Sequence, residues 1–166
     1  MMCGKDGFPE KVLKFWRFYR MDKFMEIATE VARYGIENGH GGPFGAVIVK
    51  DGSVVACGHN HVVINNDPTC HGEVDAIRNA CKKLGTFDLS GCELYTTHYP
   101  CPMCAGAIKW ANIRKVYYGC TVEDTASIGF RDKEFYEEEQ IEYTQIDRDA
   151  CIQLTEDYDK MTHTMY

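Results

Sequence analysis

No stretch of this chain stays apolar for the ~20 residues that a bilayer-spanning helix needs. Its start, Met1-Met2-Cys3-Gly4-Lys5, does not lead into the apolar run of a secretory signal. There is no internal repeat and no low-complexity tract. Positive charge is scarce: 18 Lys and Arg stand against 25 Asp and Glu, a net charge of −7, and no basic cluster occurs outside Lys11 to Arg20. A protein that grips a nucleic-acid backbone usually carries a basic face. A small uncharged ligand therefore suits the chain better than tRNA or single-stranded DNA. A disulfide framework is not indicated either. The nine cysteines are odd in number and two of them form a Cys-x-x-Cys pair, which points to free thiols in a reducing cytoplasm.

What is present fits one globular domain. With 166 residues, 45% hydrophobic and 26% charged, the chain can bury a sizeable core. Residues 1–20 read as an N-terminal extension, basic and aromatic, with Met21 as an alternative start; residues 21–166 form the domain. Phe24, Ile27, Ala28, Val31 and Tyr34 or Gly35 recur at helical spacing behind a capping Asp22, predicting a helix to about Asn38. Phe44 to Val49 reads as a strand, Asp51-Gly52 as a hairpin turn and Ser53 to Cys57 as the returning strand. Asn65 to Thr69 is turn chemistry. A helix follows from about His71 to Leu84, with Val74, Ile77, Cys81 and Leu84 toward the core and Gly85 closing it. Leu94 to Thr97 and Val116 to Tyr118 read as strands flanking a helix from Met103 to Ala111. Lys133 to Glu142 reads as an acidic helical stretch, Ile141 to Ile146 as a last strand, and Cys151 to Tyr166 as a terminal helix or tail. Such alternation predicts an α/β domain with helices on both faces of one sheet.

His71 and Glu73, with Pro100-Cys101-Pro102-Met103-Cys104 downstream, carry the chemistry. His-x-Glu followed by Pro-Cys-x-x-Cys is the signature of zinc-dependent base deaminases. His71, Cys101 and Cys104 supply three ligands, and three protein ligands on zinc leave a fourth position for water. Glu73 is then placed to take a proton from that water and pass it on. All three ligands fall at expected helix N-termini, where the helix dipole favours thiolate. Two other readings compete. Cys92, Cys120 or His98 could complete a closed structural zinc site, and a lone Cys-x-x-Cys can be a redox pair; neither explains Glu73.

With these motifs in place the chain resembles the cytidine-deaminase-like superfamily, and within it the small bacterial guanine deaminases. The likeness runs from about Met21 to Tyr166. It rests on Gly41-Gly42-Pro43-Phe44-Gly45-Ala46, Asn66-Asp67-Pro68-Thr69, His71 to Arg78, Cys101 to Ile108, and Asp124 to Phe130. The resemblance implies a three-layer α/β/α sandwich around one mixed five-stranded sheet. It implies one zinc per subunit and hydrolytic release of ammonia from a free nucleobase, guanine foremost and cytosine or guanosine as alternatives. By the same resemblance Phe44 stacks on the base, Asn60 hydrogen-bonds it, Asp124 assists the departing amine, Trp110 lines the site, and Tyr166 closes it from a C-terminal tail that some members swap between subunits of a homodimer. Read on their own, Phe44 is also a plausible core residue, Asn60 a turn former, Asp124 a helix cap, and Trp110 a core or dimer contact on the buried side of its helix. Gly72, where the family usually has Ala, and Tyr99, where it usually has Glu, depart from the guanine pattern and flank the expected pocket. His-Gly-Glu and Leu94-Tyr95-Thr96-Thr97 look more like fungal-type cytosine deaminase.

Overall fold

A computed structural model of the chain describes residues 22–137, 144–145, 148, 152–154 and 161. The element order is α1 (Lys23–Glu37), β1 (Gly45–Lys50), β2 (Ser53–His59), α2 (Val62–Asn65), α3 (Gly72–Leu84), β3 (Cys92–His98), α4 (Pro102–Trp110), β4 (Lys115–Cys120), α5 (Val122–Ser127) and α6 (Glu134–Glu137). Among the described residues the sheet has four strands, in the order β2-β1-β3-β4. The fifth strand expected over 141–146 falls mostly outside the described residues, as do the 1–20 extension and most of the 151–166 tail.

The sheet is mixed because its connections differ. β1 and β2 pair antiparallel through the tight turn at Asp51-Gly52, whose φ angles of 49° and 70° both lie in the left-handed region, the geometry of a two-residue hairpin. β3 returns antiparallel to β1. β4 runs parallel to β3, with Leu94 opposite Val116, because α4 carries the chain back across the sheet.

β1 is buried on both faces and so lacks polar alternation. Val47 and Val49 pack with Tyr95 against Phe24 and Ala28 of α1. Ala46 and Ile48 pack with Leu94 against Ala76, Ile77 and Ala80 of α3 and Ile108 of α4. This is the expected layering: α1 on one face, α3 and α4 on the other. Asp22 caps α1 by accepting from the backbone of Phe24 at 2.8 Å and Met25 at 3.3 Å.

The buried stripe of α3 matches the one that hydrophobicity suggests at Ile77 and Cys81 but not throughout. It comprises Gly72, Glu73, Ala76, Ile77 and Ala80, whereas Leu84 is exposed. The reason is the closeness of the helix to β2. A Cβ on Gly58 would lie 2.2 Å from the Ala76 nitrogen and 2.6 Å from the Gly72 carbonyl oxygen. Only small residues fit that seam, so the bulkier Val74 and Leu84 turn aside. This approach sets the first turn of α3, and Glu73 with it, into the end of the sheet.

Candidate active site

Two helix starts meet at the carboxyl ends of β2 and β3. His71 is the N-cap of α3 and Cys101 the N-cap of α4, both with extended backbone and neither spending its side chain on the cap. Cys104 lies in the first turn of α4, where Pro102 occupies a position that needs no N–H donor. The ligand-capable atoms of His71, Cys101 and Cys104 all lie within 4.8 Å of one another. The His71 Nδ1 is 3.6 Å from each sulfur. Tetrahedral zinc, with bonds of ~2.3 Å to sulfur and ~2.0–2.1 Å to nitrogen, requires a nitrogen–sulfur separation of about 3.6 Å. Both nitrogen–sulfur separations therefore match those of zinc. Among the described residues none of Cys92, Cys120 and His98 joins this group, which removes the closed four-ligand reading. The seven described cysteines are all free.

Without a metal the group shares its protons, and zinc binding would displace those held by Cys104 and His71. A hydrogen bond from Cys104, and another with His71, holds the Cys101 thiol down at about 4. Cys104 is driven upward by the same shared bond and by burial. The hydrogen bond to Cys101 raises His71.

Glu73 is 5% exposed. Its Oε1 accepts from the Thr96 hydroxyl at 3.3 Å and its Oε2 from the Cys104 thiol at 3.4 Å. Burial raises its carboxyl above the ordinary value of 4.5. A buried carboxyl beside the ligand group, with a raised proton affinity, has the placement and the poise of a general base that must also act as an acid.

A cavity of about 330 Å³ opens onto His71, Glu73 and Cys101. Phe44 forms one wall, its ring edge-to-face with both Phe130 and His98 at 4.8 Å. A Cβ on Gly42 would sit 2.5 Å from the Phe44 ring and force it to shift. Asn60 lines the cavity and is buried. Its Oδ1 accepts from the Gly42 and Val62 backbone at 3.3 and 3.1 Å, leaving the Nδ2 amide as the group it can offer a ligand.

Asp124 and Trp110 stand elsewhere. Asp124 belongs to a capping box on α5: its Oδ2 accepts from the Thr121 backbone at 2.8 Å and hydroxyl at 2.9 Å, while Thr121 caps the Asp124 N–H. It does not line the cavity. Trp110 is 68% exposed rather than turned inward, and it borders a shallow surface depression with Gly106, Lys109 and Asn112. Tyr166 lies outside the described residues.

The acid that the sequence reading overlooked is Asp132. It lines the cavity with Phe130, Arg131 and Phe135. Burial, then the charge of Cys101, raises its carboxyl above the ordinary carboxylate value. The segment is tied down by the Tyr136 hydroxyl, which donates to the Pro100 carbonyl. The signal available in the sequence was only an acid two residues after Phe130. Tyr99 also borders the cavity, its ring edge-to-face with Tyr118 at 5.0 Å.

Comparison with known proteins agrees with this geometry. Residues 19–120 match the family described as cytidine and deoxycytidylate deaminase zinc-binding region. A guanine deaminase from Bacillus subtilis (strain 168) is 51% identical over 117 residues, 70% of this chain and 75% of that protein. The X-ray structure of guanine deaminase from Bacillus subtilis superposes with a TM-score of 0.82 at 41% identity, covering 89% of this chain and 99% of that one. A tRNA-specific adenosine deaminase from Agrobacterium fabrum (strain C58) is 48% identical over 96 residues, 58% of this chain and 62% of that protein.

Proposed function

Since the chain belongs to the cytidine and deoxycytidylate deaminase zinc-binding family, we propose that it removes the amine of a free nucleobase by hydrolysis, guanine to xanthine and ammonia. The observation that carries the reading is Glu73, buried beside a His71/Cys101/Cys104 set whose 3.6 Å separations match zinc. His71, Cys101 and Cys104 would hold one zinc at this centre. Bound zinc supplies a water that is nucleophilic near neutral pH.

The remaining roles fall to the chain itself. Glu73 takes the proton of the water and returns it to a ring nitrogen of the base. Its raised proton affinity keeps the two transfers close in energy. Asp132, also raised, is suited to hand a proton to the departing amine, the role the sequence had given to Asp124. Phe44 and Phe130 pack on the ring, and the Asn60 amide donates to an acceptor on its edge. A cavity of about 330 Å³ lies at the low end of the ~300–1,000 Å³ typical of small-molecule sites, which suits a flat base without a sugar-phosphate chain.

The reading extends to a homodimer in a reducing cytoplasm. Support for the dimer is the pair of exposed aromatics Trp110 of α4 and Tyr118 of β4, and light scattering would measure it. A second reading, adenosine deamination in tRNA, is favoured by the Agrobacterium fabrum relative. The net charge of −7 and the near-complete superposition on the Bacillus subtilis structure speak for the free base. Ammonia release from guanine, guanosine, cytosine, cytidine and adenine, measured in parallel with an adenosine-34 tRNA stem-loop, decides. Guanine turnover above the rest is expected. Preference for cytosine would make Gly72 and Tyr99 the marks of a reshaped pocket, and preference for the stem-loop would overturn the free-base assignment.

A further inference from the structure

Three histidines converge where β2 ends. His40 lies in the loop after α1, His59 ends β2, and His61 follows two residues on. Their ligand nitrogens lie within 4.8 Å of one another. His40 Nδ1 is 2.8 Å from His59 Nε2. The His59 and His61 ring centroids are 3.9 Å apart, and the His40 ring lies nearly parallel to both, at 18° and 22°.

The surroundings fix these rings. His61 Nδ1 lies 2.8 Å from the His59 carbonyl oxygen and 3.7 Å from Asp75 Oδ2. A carbonyl accepts only, so the proton sits on Nδ1 and the Nε2 lone pair is left for a ligand. An outer carbonyl or carboxylate that sets the tautomer is the usual partner of a metal-bound histidine. His59 rests on Gly35, where a Cβ would come 2.5 Å from its Cδ2. Tyr34 meets both His40 and His59 edge-on, at 5.7 and 5.6 Å. All three imidazoles are half-buried and so within reach of solvent.

We propose that His40, His59 and His61 form a second metal site, for a divalent cation of the zinc–copper class, separate from the His71/Cys101/Cys104 centre. Three imidazoles select such ions, whereas calcium and magnesium take oxygen ligands. With metal–nitrogen bonds of ~2.0–2.1 Å, tetrahedral ligation needs nitrogens about 3.3 Å apart. The His40–His59 pair has to open by about half an ångström from 2.8 Å, and any separation near the 4.8 Å limit to close. The hydrogen bond between those two rings is exchanged for two metal bonds. Its proton moves to the opposite nitrogen of the same ring, so each ligand stays neutral. The ion would clasp the 40–42 loop to residues 59–62, the two segments whose backbone N–H groups hold Asn60 Oδ1.

The test uses untagged protein with its deaminase centre loaded with zinc, then titrated with Zn²⁺ and Cu²⁺ by calorimetry, bound metal being counted after desalting. Wild type should hold two ions per chain. His40→Gln/His61→Gln, and His61→Gln alone as the milder change, should lose the second ion or bind it more weakly than the ~10–100-fold that loss of an outer partner costs. Cys101→Ser should lose the first ion and keep the second, which separates failure of this site from failure of the deaminase reading. Wild type that never exceeds one ion per chain, or a second ion held equally well by folded His40→Gln/His61→Gln protein, overturns the site.

Discussion

Replacing Glu73 by Gln removes a proton acceptor and almost no volume. The Gln carbonyl can still accept from Thr96, which now donates to Glu73 Oε1 at 3.3 Å, and the residue is not one of the three ligands. Zinc content should therefore stay at the wild-type level. What disappears is the group proposed to take and return a proton, and positioned acid–base catalysis is worth roughly 10²–10⁴ in rate, or about 3–5 kcal/mol of barrier. Stability should move the other way. The folded-state carboxyl is raised above 4.5 by burial, so native protein binds this proton more tightly than unfolded chain. Below 4.5 the group carries no penalty; as pH rises past that value, ionisation increasingly favours the unfolded state. After chelation of zinc, Glu73→Gln should thus gain stability over wild type between pH 4 and 8, followed by urea unfolding. Steady-state ammonia release supplies the rate. A zinc-loaded variant that keeps kcat within tenfold of wild type refutes the proton-transfer role.

Asp132→Asn should lower kcat by at least tenfold, whereas Asp124→Asn should spare turnover and cost at most about 0.5–2 kcal/mol for a weakened helix cap; the reverse ranking in parallel assays restores Asp124 to the site. At Gly45 a Cβ would lie 2.2 Å from the Ala28 carbonyl oxygen and 2.9 Å from the Ala32 nitrogen, so Gly45→Ala must push α1 off the sheet and lose about 1–3 kcal/mol, read as a lower urea midpoint. The Asp67 carboxyl is drawn from 3.8 to about 2 by hydrogen bonds from the side chains of Cys70 and Thr69 and from the Thr69 backbone. Its contribution is complete above 3.8 and lost as pH falls through about 2, so the gap between wild type and Asp67→Asn should close over that interval, and a gap independent of pH contradicts the assignment.

Local chemistry made part of the fold legible. Asp22, Gly85 and Asp51-Gly52 act through their own backbone neighbours, and each ends or turns an element where its residue type predicts. The face of α3 was legible only in part: Ile77 and Cys81 pack on the core as expected, but the rest is decided by a residue 18 positions upstream of Ala76. Gly58 lets the helix come so close that alanines outrank Val74 and Leu84 for the interior. Hydrophobicity ranks residues by transfer energy, and here the available space ranks them instead.

The site divides along the same line. That His71, Cys101 and Cys104 converge, with Glu73 beside them, was readable because holding a metal through one His and two Cys restricts residue type and spacing tightly. Asp124 and Asp132 are both acids in a turn-rich stretch, and nothing local ranks them for the cavity. One signal was present, since Thr121 followed three residues later by Asp124 has the form of a capping box, and a carboxylate committed to two hydrogen bonds from Thr121 is a poor proton donor. Asp132 instead lies in the cavity, near His71 and Cys101, residues far away in sequence. The three-histidine cluster escaped for the same reason: His40 is 19 residues from His59, and the close packing of Gly35 beneath the His59 ring helps bring the end of α1 to the end of β2.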